Sequence, residues 1–156
     1  MMQPLTEEEI VKFAPRALPE YMRALCAAAT DMERCGFNVL RLCHFLAQAA
    51  HETGGFTLLR ENTDWKKDRM CVVWPKLQFK NNPKLYAQLQ MCPDDEVAKA
   101  NFIYSSRTDL GNRPGTDDGF VYRGAYLFQD TGRDAWGEAS EACGVDFVGY
   151  PEMYNV

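Results

Sequence analysis

The chain has 156 residues, of which 46% are hydrophobic and 25% charged, and its formal net charge is −5. That is one domain's worth of chain with enough apolar side chains for a core, and it carries no basic block to meet nucleic acid. An acidic chain gains no general attraction to an anionic cell wall, and no stretch approaches the ~20 apolar residues of a membrane span.

The first residues, Met1-Met2-Gln3-Pro4-Leu5-Thr6, lack the basic start and apolar run of a signal peptide, so synthesis as a soluble cytoplasmic chain is expected. Leu5-Thr6-Glu7-Glu8-Glu9-Ile10 predicts a helix start. Thr6 caps, Glu9 completes a capping box, and Leu5 staples to Ile10. Pro19 suits the first turn of a second helix running to about Arg34, and Gly36 suits its stop. Asn38 caps a third. Three helices joined by short loops predict a packed helical lobe.

The third helix leads into the most informative stretch. Leu42, Phe45, Leu46 and Ala49 recur on one helical face, and Gly54-Gly55 stops the run. Glu52 therefore falls at the helix end, where the unpaired carbonyls disfavour a carboxylate. A half-buried carboxyl there is expected to hold its proton to higher pH, as a general acid requires. Glu61, past the turn, is placed to return to the same cleft as a second carboxylate. Two such groups facing each other are the working parts of a glycosidase. The plain alternative is a solvated surface glutamate.

Residues 63–100 read as less regular. Asp64 to Arg69 is charged around Trp65, and Trp74-Pro75 ends a short apolar run. Asn81-Asn82-Pro83 is a turn signal, with a helix from Pro83 through Gln90. Pro93-Asp94-Asp95-Glu96 starts another helix to about Tyr104, with apolar spacing at Val97, Ala98 and Phe102. Asp109 to Arg113 leads to a Gly- and Asp-rich loop at 114–119, which then precedes Phe120 to Arg133. That segment reads either as a loop and a short strand or as a cleft wall. As a wall, Tyr122, Arg123 and Gln129 would offer a stacking face and polar partners to sugar rings. No internal repeat or linker appears, so a single domain over 1–156 is expected.

Six cysteines are present, yet the chain is long and apolar enough to fold without disulfides, so free thiols are expected. Cys26 and Cys43 lie in apolar helical patterns, where cysteine acts as a small hydrophobe. There is no Cys-x-x-Cys pair, and His51-Glu52 lacks the second histidine of a zincin. No metal site and no cofactor are expected.

Phe45-Leu46-Ala47-Gln48-Ala49-Ala50-His51-Glu52-Thr53-Gly54-Gly55-Phe56, followed by Arg60-Glu61-Asn62, resembles the core motif of the family 19 chitinases. It is most similar to their phage and bacterial endolysin branch. Gly111-Asn112, the Gly-rich loop, Tyr122-Arg123-Gly124 and Gln129-Asp130-Thr131-Gly132 resemble a second motif of that family, in the right order. The resemblance implies a mainly α, lysozyme-like fold with two lobes and a central cleft. It implies inverting hydrolysis of β-1,4-linked N-acetylhexosamine glycans, with Glu52 the general acid and Glu61 the general base. Thr53 and Asn62 are expected to orient the acids, and His51 to bond across the helix end or to assist catalysis. Trp65, Lys66, Tyr122, Arg123 and Gln129 are expected to meet sugar, whereas Trp74 is assigned to core packing. Compact spacing without the inserts of plant chitinases favours peptidoglycan over chitin, reached after release or export. A glycan- or protein-binding relative without catalysis is the rival, because the pattern departs in places. Ala125-Tyr126 stands where the family has a second Arg-Gly, Asp130 where it has an apolar residue, and Lys66 where it has a hydroxyl. The chain also stops at Val156, where the family continues, which leaves open a C-terminally shortened domain.

Overall fold

The computed structural model describes residues 4–58, 60–74, 77, 79–125 and 127–155. Expectations that fall on residues 1–3, Pro75, Tyr126 and Val156 lie outside the described residues. Among those described the chain is mainly α. The helices are α1 (Glu7–Phe13), α2 (Pro19–Arg34), α3 (Val39–Glu52), α4 (Lys67–Val73), α5 (Pro83–Met91), α6 (Glu96–Tyr104), α7 (Asp118–Val121) and α8 (Arg133–Cys143). An isolated antiparallel bridge joins Arg60 to Ala125. The chain divides into two compact units. One comprises Met1–Arg60, Ala125–Gln129 and Tyr154–Val156, the other Glu61–Gly124 and Asp130–Met153.

The first unit follows its sequence signals closely. Thr6 Oγ1 accepts from the Glu9 amide at 3.3 Å while the Thr6 amide donates to Glu9 Oε2 at 3.0 Å, closing the capping box of α1. Pro19 opens α2, and Gly36 beyond its end takes a φ of +85°. Asn38 Oδ1 accepts from the Arg41 amide at 2.9 Å to cap α3. The core gathers Ile10, Ala14, Tyr21, Leu25, Leu42, Leu46, Ala49 and Phe56, with Phe45 partly buried beside them. Each large apolar side chain buried here contributes about 1.5–3 kcal/mol. Cys26 packs against this core, but Cys43 is exposed, off the buried stripe of α3. All six cysteines are free.

The second unit departs further from expectation. Its core holds Met70, Phe79, Leu89, Ile103 and Tyr104, with Trp65 and Trp74 packed edge-on at 4.4 Å between ring centres. The segment expected to be irregular after Lys66 is helix α4, which buries Met70. Helix α6 begins where the Asp95 cap predicts, but it buries a different face. Lys99, Ala100, Ile103 and Tyr104 turn inward, while Val97 is exposed and Ala98 and Phe102 are half-buried. Among the described residues no strand follows Gly119; the turn of helix α7 takes up Phe120 and Val121 instead. Asp118, 4% exposed, accepts from the Arg113 amide and guanidinium, and this anchors the loop before α7. A side chain at Gly119 would meet the Ser105 amide nitrogen at 2.8 Å, so only glycine lets α7 approach the end of α6. Trp136 on α8 is fully buried against Tyr122. No helix among the described residues is long and apolar enough to cross a membrane.

Candidate active site

Glu52 is the last residue of α3, as the glycine stop predicts. It is exposed, however, not half-buried. Its Oε1 accepts from Gln48 Nε2 at 2.6 Å, one turn earlier on the same helix. Gln48 escapes the sequence reading because a glutamine at this spacing is commonplace on helix surfaces. The helix end is closed by Thr53, whose hydroxyl donates to Ala49 O at 2.7 Å and accepts from the Phe56 amide at 2.8 Å. Thr53 is fully buried, so it shapes the chain after Glu52 and does not meet sugar. That bonding is the task expected of His51, which is exposed. Gly54, Gly55 and Phe56 then all take positive φ, which turns the chain sharply away from the helix.

Glu61 begins a stretch, 61–66, with no regular secondary structure. Its backbone amide donates to Gly124 O at 2.7 Å. Its carboxylate is held at both oxygens: Tyr104 Oη donates to Oε1 at 3.0 Å and the Gly124 amide to Oε2 at 3.3 Å. Arg123 Nε donates to the Glu61 carbonyl at 3.3 Å, and its guanidinium lies over the Phe120 ring, 3.9 Å from the ring centre. Burial pushes the Glu61 carboxyl above its ordinary range, against the opposing pull of the Tyr104 and Gly124 bonds and the Arg123 charge. Burial and the neighbouring Glu61 charge push the Tyr104 phenol up in turn, so it stays a proton donor at any working pH. A base is strengthened when its pKa rises toward the operating pH.

The remaining expected residues divide. Arg123 lies beside Glu61, as a positioning cation rather than a free donor. Asn62 is exposed, and its side chain accepts from the Asp64 amide at 2.8 Å in a local turn. Trp65 is half-buried with its ring against Trp74 and Tyr104, and Trp74 packs in the core as expected. Lys66 is exposed at the start of α4, on the wall of a polar cavity of about 460 Å³ that it shares with Asp64 and Trp65. Tyr122 is not a sugar platform. It is 4% exposed, its ring meets Trp136, and its hydroxyl donates to Val148 O at 3.0 Å while accepting from Arg133. Gln129 is half-buried with a φ of +56°, a conformation that costs a non-glycine residue about 1–2 kcal/mol and that recurs at functional sites. Ala125, at the position of the family's second arginine, is fully buried, and Asp130 accepts from Trp136 Nε1 through its carbonyl. Tyr104 and Gly124 are the contributors the sequence concealed. Among the described residues, no group of three or more His, Cys, Asp or Glu could hold a metal ion.

No family model matches the chain. It is similar to a Haemophilus influenzae protein named as a glycosyl hydrolase family 19 domain-containing protein, with 30% identity over 135 residues. The match takes in 86% of this chain and 63% of that relative, so the chain spans less than two thirds of the relative's length.

Proposed function

We propose that this chain is a glycoside hydrolase of the family 19 type, cleaving β-1,4 bonds in an N-acetylhexosamine glycan, with peptidoglycan preferred over chitin. Glu52 gives a proton to the leaving oxygen. Glu61 takes one from a water that attacks the opposite face of the sugar, and the configuration inverts. Such chemistry requires the two carboxyl groups ~6.5–9.5 Å apart, leaving room for that water. The observation that carries the reading is Glu61 itself. A partly buried carboxylate, oriented at both oxygens and raised in proton affinity by burial, is what a general base needs. The Haemophilus influenzae relative's name supports the same class, and the sharply turned chain after Glu52 supports a fixed position for the acid.

The test is loss of turbidity of outer-membrane-permeabilised bacteria, run beside soluble chitin oligomers, with Glu52→Gln as control. Lysis by the wild type and none by the variant supports peptidoglycan hydrolysis. Turnover of chitin oligomers alone moves the substrate to chitin. Identical behaviour of the two chains on both substrates refutes hydrolysis. The anomer of the first product reports the stereochemistry.

A further inference from the structure

Lys99 is 2% exposed, and a buried ammonium is tolerated only when paired. Its Nζ donates to Asp64 Oδ1 at 2.8 Å and to Asp94 Oδ1 at 3.1 Å, and the bond to Asp64 is the main cause holding the ammonium charged. Asp64 lies three residues after Glu61 in the same irregular segment. Tyr104, which bonds the Glu61 carboxylate, stands five residues after Lys99 on α6. Three extended residues reach roughly 10 Å, and five helical residues rise roughly 7.5 Å. One helix can therefore grip both ends of the short segment. Thr63, between the two grips, is fully buried.

The geometry points to α6 as a two-point clamp on the Glu61 segment, with Lys99 a positioning residue that acts through Asp64. This rests on Glu61 being the general base. Tyr104 fixes the direction of the carboxylate, and Lys99 fixes the backbone that carries it. A displacement near 1 Å at a reacting group costs about 100-fold in rate, so loosening the second grip shows in turnover before it shows in affinity.

Lys99→Met keeps the buried stem and leaves Asp64 and Asp94 unpaired, but their side chains are 69% and 77% exposed, so no carboxylate is stranded in the core. Asp64→Asn breaks the grip from the other side. Asp94→Asn is the control: it removes a carboxylate from the same ammonium but lies outside the segment. Each variant is measured for kcat and KM on the glycan and for hydrogen exchange of the Glu61 amide, which is bonded to Gly124 O. Lys99→Met and Asp64→Asn are expected to lower kcat roughly 10- to 100-fold with little change in KM, and to speed that exchange. Asp94→Asn should leave both readings close to wild type. Equal acceleration of exchange in Asp64→Asn and Asp94→Asn, or none in Lys99→Met, overturns the clamp. A wild-type chain that hydrolyses nothing refutes the functional reading, and the exchange comparison still decides the clamp.

Discussion

Tyr104→Phe isolates the bond that orients Glu61. The ring stays packed near Trp65 and Trp74, both 6.3 Å away between ring centres, so only the hydroxyl leaves. A hydrogen bond to a charged acceptor contributes about 1.5–3 kcal/mol. Glu61 is only partly buried, and water reaching the freed oxygen recovers some of this, so the lower figure of about 1.5 kcal/mol applies. Nearly all of it belongs to the ionised carboxylate, so its loss favours the protonated form. The acid limb of the pH–rate profile should therefore move to higher pH. At neutral pH the variant should be less stable by about 1.5 kcal/mol, and the deficit should shrink once Glu61 is protonated in both chains. A pH–rate series on glycan and urea unfolding at neutral and acid pH measure the two effects. If the limb stays in place and neutral stability is unchanged, the Tyr104 bond is not what holds Glu61.

Glu61→Gln removes a carboxyl whose proton affinity is higher folded than unfolded. Wild-type stability from this group is full below the ordinary carboxylate range and is lost as pH rises through the raised value. The variant should therefore unfold at higher urea than wild type at neutral pH, match it in acid, and show no turnover. Thr63 Oγ1 is buried with no hydrogen-bond partner among the described residues. Thr63→Val should gain about 1–2 kcal/mol in thermal unfolding, and a loss would mean the hydroxyl is satisfied. At Gly132, φ is +99° and a Cβ would meet Leu110 Cβ at 2.5 Å and its carbonyl oxygen at 2.6 Å. Gly132→Ala should cost about 2–5 kcal/mol by urea titration, and a cost under about 1 kcal/mol would show that the contact relaxes freely.

Signals that act within a few residues were readable in the chain. The Thr6–Glu9 box, Pro19 at a helix start, Asn38 as a cap and Gly36 as a stop each depend on neighbours, and each stands where expected. The end of α3 at Glu52 follows for the same reason. The surroundings of Glu61 do not, because its partners are 43 and 63 residues away. Helix α6 shows why an apolar pattern misled. Its inward face carries Lys99 and Tyr104, which a pattern search counts as polar, and two of their partners, Asp64 and Glu61, come from a distant segment. Tyr122 failed in the opposite way. Its motif suggested contact with sugar, but the buried Trp136 of an unforeseen helix claims its ring. The strand expected near it lost to α7, because Asp117 O captures the Phe120 and Val121 amides in a helical turn.

Phe56 combines a fully buried ring with a φ of +59°. Main chain and side chain make opposite demands there: the twist favours glycine, while the space beside Phe13 and Tyr21 needs an aromatic volume. Exchange at this one position is therefore blocked both ways, since glycine empties the space and any smaller branched residue keeps the twist unrelieved. The route to variation is concerted, with bulk added at 13 or 21 as it is withdrawn at 56. A mutant library aimed at this corner of the molecule should randomise the three together.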